Sequence, residues 1–163
     1  IGEGYVYIVA TSVLLFFSYS KAMAIPINSI FVLVVAGVLK EFFQHERPIR
    51  YFNDLLHQPD LPNYVSGVVL HDGWTNSFPS GHTISGFAFY TLLAFFIQNK
   101  YLKFCCLVLA MLVGISRMYL VQHFLKDVTS GMLTGFLIAV IVYSLHEKFA
   151  HKLPGKLPLR NKV

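Results

Sequence analysis

Charge is what this sequence has least of. Only 13% of the 163 residues are Asp, Glu, Lys or Arg, against about 25% in ordinary soluble domains. That scarcity, beside 55% hydrophobic residues, excludes a disordered chain, a coiled coil and a polar repeat array, and argues against a water-soluble globule. Cysteine is nearly absent too. The two present, Cys105 and Cys106, are adjacent inside an apolar run, a poor geometry for a disulfide and too few ligands for a zinc site, so they read as packing residues. The basic residues outnumber the acidic by 13 to 8, but they fall in the gaps between apolar runs and form no stripe that nucleic acid would need. No secretory cleavage site follows the apolar stretch near the start. The mean hydropathy of +0.59 points to a membrane protein.

A membrane-spanning helix takes about 20 mostly apolar residues, and five segments approach that length: Val6–Ala24, Ile27–Phe43 with Pro26 at its start, Gly81–Ile97, Leu102–Tyr119 and Val128–Leu145. Gly37, Gly86, Gly114, Gly131 and Gly135 lie inside these runs, where small residues let helices approach closely in lipid. The expected fold is all-α, a polytopic transmembrane helix bundle, with residues 1–163 forming one domain. Residues 46–79 form a polar loop, in which Tyr51–His57 is expected as a short interfacial helix, and residues 147–163 a basic tail.

Alternating helix directions place Lys21, Lys100, Lys103, Lys148, Lys152, Lys156, Arg160 and Lys162 on one side. Seven of the eight acids (Glu3, Glu41, Glu46, Asp54, Asp60, Asp72 and Asp127) fall on the other. The positive-inside rule makes the first side cytoplasmic and turns the polar loop outward.

The outward side also collects the chemistry. Lys40 and Arg47 are seven residues apart and would share a helix face if the helix continued to Pro48. Ser80 is placed to cap the helix that follows, whose first N–H groups and dipole favour an anion. His123 and Asp127 are four apart, which sets a carboxylate beside an imidazole. With Arg117, these residues suit a phosphoryl group: cations to neutralise its oxygens, one histidine to attack, another to protonate the leaving oxygen.

Three pieces carry a resemblance. Lys40-x6-Arg47-Pro48, Pro79-Ser80-Gly81-His82 and Ser116-Arg117-x5-His123-x3-Asp127, in this order and spacing, resemble the tripartite signature of the type 2 phosphatidic acid phosphatase (PAP2) superfamily, over Ile27 to about Leu145. The resemblance implies an integral-membrane lipid phosphatase with His123 as nucleophile, Asp127 orienting it and His82 as general acid and then base. It further implies Lys40, Arg47, Ser80, Gly81 and Arg117 holding the phosphate, and neither metal nor organic cofactor. Members with six spans imply a further helix before Ile1.

The expected partners are a phospholipid or isoprenoid-lipid phosphate substrate and membrane lipids, with no nucleic acid and no obligate protein partner. Candidate substrates are phosphatidylglycerophosphate, undecaprenyl diphosphate, phosphatidic acid and lipid A phosphates. The expected location is a bacterial inner membrane with the site facing the periplasm or exterior. Competing readings are a phosphotransferase to an alcohol, a vanadate-dependent haloperoxidase, and a transporter or channel whose buried charges line a pathway. His45, Glu46, His57, His71 and Asp72 read as solvated loop residues sooner than metal ligands, with Arg50 and Trp74 near a headgroup or the lipid interface.

Overall fold

The computed structural model describes residues 4–55, 57 and 76–149. These form an all-helical bundle: α1 (Gly4–Phe17), α2 (Tyr19–Phe43), a one-turn α3 (Pro48–Arg50) running into a π-helical turn (Tyr51–Leu55), α4 (Gly81–Phe96), α5 (Lys100–Tyr119) and α6 (Leu125–Phe149). The expected short helix thus begins earlier, at Pro48, because proline fits a first helical position where no N–H is needed. The basic tail beyond Phe149 and His71, Asp72 and Trp74 of the loop lie outside the described residues.

Three stretches are long and apolar enough to cross a membrane, Tyr19–Asn53, Lys100–Tyr119 and Leu125–Phe149, while Tyr5–Leu15 and Gly81–Phe96 are shorter apolar helices. The division of the first two spans differs from expectation. The break falls at Ser18, extended at φ −157° and ψ 111°, whose hydroxyl faces the Lys21 N–H. Pro26 lies inside α2. A proline there removes one intrahelical hydrogen bond, and a helix held by neighbours in a bundle tolerates that loss.

α4 is the hub. It packs against α2, α5 and α6, and Thr83–Tyr90 are buried without interruption, as befits a helix surrounded on all sides. α5 and α6 present their outer faces, including Phe104, Leu112, Leu133 and Leu137, to the surroundings. An apolar surface of that extent suits lipid and would aggregate in water.

Small residues set the closest approach. A Cβ on Gly131 would stand 2.9 Å from the Ser80 carbonyl oxygen, and one on Gly135 would collide with that of Ile84, so α6 lies on the backbone of α4. Gly37 does not belong with them: a Cβ there would meet nothing within 4 Å. Cys105 and Cys106 are free thiols, the first exposed and the second buried.

Candidate active site

One end of the bundle holds the end of α2, the start of α4, the end of α5 and the start of α6. α2 stops at Phe43 because Gln44 takes a left-handed conformation, φ 42° and ψ 46°, with its N–H bonded to the Lys40 carbonyl. The helix therefore does not carry Lys40 and Arg47 along one face, as their spacing predicts. The chain turns, Arg47 becomes the residue that precedes Pro48, and the two cations still come close enough to repel each other. The Lys40 ammonium lies beside Gly81, 3.4 Å from where a Cβ would sit, and His82 lines the same hollow.

α4 starts at Gly81 with Ser80 in the cap position, but the Ser80 side chain does not cap the helix. Its oxygen accepts from Thr83 Oγ1 at 2.9 Å. The Ser80 N–H donates to the Asp127 carbonyl at 3.0 Å, which ties the start of α4 to the start of α6. The first amides of α4 have no acceptor within their own helix, and the helix dipole lies behind them; Gly81 and His82 at this start line the hollow.

His123 precedes α6 and does not lie on its face, yet the pairing expected from the four-residue spacing forms: His123 Nδ1 is 3.5 Å from Asp127 Oδ2, with both side chains buried. Val121, two residues earlier, is at φ 54°, a region strained for a β-branched side chain. Asp127 Oδ2 also accepts from the Phe124 N–H at 3.0 Å and from the Ser77 hydroxyl. Ser77 Oγ is in addition 3.4 Å from His123 Nδ1, and its N–H donates to the His45 carbonyl at 2.8 Å.

Ser77 is fully buried and was not singled out by sequence reasoning. Its only signal is a small hydroxyl three residues before Ser80, just ahead of the Pro79-Ser80-Gly81-His82 piece. Burial holds the His123 imidazole below its ordinary pKa. The positive fields of Arg47 and Lys40 push the same way, and Asp127 opposes them.

Arg117 ends α5. Its guanidinium donates to Gln122 Oε1 and Ser116 Oγ, each at 3.2 Å, so it braces the segment that delivers His123. Ser116 donates to the Val113 carbonyl of its own helix. Arg50 pairs with Glu46 at 3.2 Å, His45 bonds Lys126, and His57 is exposed. Arg47 is a contrast: its Nε is buried and, among the described residues, has no hydrogen-bond partner. A buried guanidinium edge beside a second cation and a helix N-terminus is a place for an anion.

Comparison with known proteins identifies the family and the fold. The PAP2 superfamily matches residues 8–150. Phosphatidylglycerophosphatase B of Bacillus subtilis (strain 168) is 32% identical over 120 residues, which are 68% of this chain and 51% of that protein. The chain thus spans about half the length of that curated relative. The crystal structure of Aquifex aeolicus LpxE superposes with a TM-score of 0.69 at 28% identity, over 88% of this chain and 79% of that one. That of the first transmembrane PAP2 type phosphatidylglycerolphosphate phosphatase from Bacillus subtilis gives 0.70 at 26% identity, over 90% and 72%. The all-helical bundle, its apolar exterior and the match across nearly its whole length make this chain an integral-membrane member of the PAP2 superfamily.

Proposed function

We propose that the protein is a membrane-embedded lipid phosphatase that works through a phosphohistidine. The observation that carries this reading is the buried His123–Asp127 pair within the fields of Lys40 and Arg47. With Nδ1 facing the carboxylate, the proton resides there and the Nε2 lone pair is left to attack. Burial favours the neutral, nucleophilic imidazole.

Nε2 attacks phosphorus as the bond to the lipid oxygen breaks, and His82, which lines a hollow with Lys40 and Gly81, gives that oxygen its proton. His82 then takes a proton from water, whose oxygen attacks phosphorus, breaks the P–N bond and releases phosphate. Lys40, Arg47 and Arg117 neutralise the equatorial oxygens in the five-coordinate state, and Ser80 and Gly81 add hydroxyl and backbone donors. These groups do the charge neutralisation without calling on a metal.

The substrate is a lipid phosphate or diphosphate, of the phosphatidylglycerophosphate, undecaprenyl diphosphate, phosphatidic acid or lipid A type. Similarity to a phosphatidylglycerophosphatase and to LpxE supports this. The excess of basic residues that the sequence order assigns to the other side of the membrane supports an active site on the outer face of a bacterial inner membrane. The test is phosphate release from these four lipids by purified protein. Turnover of at least one, lost in His123→Ala, is expected, and release from none would overturn the reading.

A further inference from the structure

Residues 44–47, between α2 and α3, form no helix. They end on Arg47, the cation whose buried Nε has no hydrogen-bond partner among the described residues. With that edge unheld, the place of the guanidinium follows the backbone that carries it. Helical hydrogen bonds fix this turn at its two ends. The Gln44 N–H reaches back to the Lys40 carbonyl at 3.0 Å, and the Tyr51 N–H reaches the Arg47 carbonyl at 2.9 Å. Between those ends the turn needs a hold of its own.

His45 supplies one twice. Its backbone carbonyl accepts from the Ser77 N–H at 2.8 Å, and Ser77 in turn gives its hydroxyl proton to Asp127. Its side chain meets the ammonium of Lys126, in the first turn of α6. That ammonium also lies 5.5 Å from the centroid of the Phe124 ring. Phe124 packs edge-on against Tyr51 with centroids 5.6 Å apart, so Lys126 is lodged beside the same turn.

Hydrogen-bond chemistry fixes the state of the imidazole. An ammonium can only donate, so His45 Nε2 must accept, and the ring proton sits on Nδ1. Nδ1 faces the Glu46 carbonyl at 3.1 Å, where that proton is used. One neutral tautomer satisfies both sides of the ring. The Glu46 carboxylate is engaged elsewhere, with Arg50 at 3.2 Å, and leaves Lys126 to the imidazole. A histidine that reads in sequence as a solvated loop residue thus braces two stretches 81 residues apart.

We propose that His45 is a positioning residue for the phosphate site: its contact with Lys126 fixes the turn that presents Arg47 to the anion, an inference that rests on the phosphatase reading above. His45 acts through Arg47 and takes no part in bond making. The charge of Lys126 serves this brace and not the phosphate.

The experiment measures, in detergent micelles, kcat/KM on a lipid the wild type turns over and the inhibition constant of orthovanadate. The brace is exposed, so its loss should cost what an ordinary hydrogen bond is worth, about three- to tenfold in both quantities. His45→Ala and Lys126→Met should each show that loss. The double variant should lose no more than either alone, as two halves of one contact do. His45→Gln, whose Oε1 reaches as far along the side chain as Nε2, should restore most of the loss, whereas His45→Asn, which reaches only as far as Nδ1, should not. The backbone tie to Ser77 is untouched by all of these substitutions, so they test the side chain alone. Wild-type values in His45→Ala, additive losses in the double variant, or equal rescue by Gln and Asn would each overturn the inference while leaving the phosphatase reading intact. Release of phosphate from no lipid by the wild type would overturn that reading, and this inference with it.

Discussion

Ser77→Ala removes one hydroxyl from a fully buried site and should be felt in two measurements. Asp127 is 0% exposed, and its Oδ1 has no partner among the described residues. Oδ2 therefore takes the bonds from Ser77, the Phe124 N–H and the facing imidazole. A hydrogen bond to a charged group contributes about 1.5–3 kcal/mol, so the variant should lose about that much stability at neutral pH. The carboxylate, less quenched, then draws harder on the His123 Nδ1 proton. In the wild type, burial first and then the cations hold His123 below 6.5, so the acid limb of kcat/KM should lie below pH 6.5. In Ser77→Ala that limb should move up.

The stability sign follows from the same shift. The folded state binds the His123 proton more weakly than the unfolded state, so this stabilisation is present above pH 6.5 and is lost as pH falls through the lowered folded value. Phosphate release from lipid micelles across the acid range, beside thermal unfolding in detergent, reads both quantities. A wild-type acid limb at or above 6.5, or a variant unmoved in both limb and unfolding temperature, would refute the reasoning.

Three further outcomes are expected. His123→Ala should retain less than about a tenth of the activity while remaining folded, given that removal of a catalytic nucleophile elsewhere costs about 10⁶ in turnover; circular dichroism and phosphate release check both halves. Orthovanadate should inhibit competitively at least about 10²-fold more tightly than inorganic phosphate, because it adopts the five-coordinate shape the cations complement, and His123→Ala should erase most of that advantage. Gly135→Ala should lower the unfolding temperature through a cost of about 1–3 kcal/mol, since its Cβ meets the Ile84 carbonyl oxygen and the Phe87 Cβ and neither can turn aside like the end of a long side chain.

The bundle and the cluster at one end of it were legible because apolar run length and charged-residue placement both follow directly from lipid. Individual boundaries were less so. Pro26 looks like a helix start in sequence, yet α2 runs through it from Tyr19, because packing in a bundle outweighs one missing N–H. The Lys40–Arg47 spacing predicted convergence on the assumption of a continuous helix, and convergence comes instead from the left-handed turn at Gln44. No local pattern announces a left-handed glutamine. Ser77 escaped notice because its role depends on a loop folding back onto α6, a contact fifty residues away in sequence. The glycines at 131 and 135 do mark a helix crossing, whereas Gly37 looks the same in sequence and faces open space.

α4 has 16 residues and α5 has 20, and the three residues Ile97–Asn99 join them at the far end. At about 1.5 Å per residue, α4 falls roughly 6 Å short of the rim reached by α5. The start of α4 is thus sunk like the floor of a shallow well. On the phosphatase reading proposed above, a lipid would be drawn downward to react, and its phosphate would leave bulk water on the way. Lys40 and Arg47 would then act through a medium of lower dielectric, where attraction is stronger and dissolved salt screens poorly. Bilayer thickness would become a control on that reaction: a thinner membrane lowers the headgroup plane toward the floor, and a thicker one lifts it away.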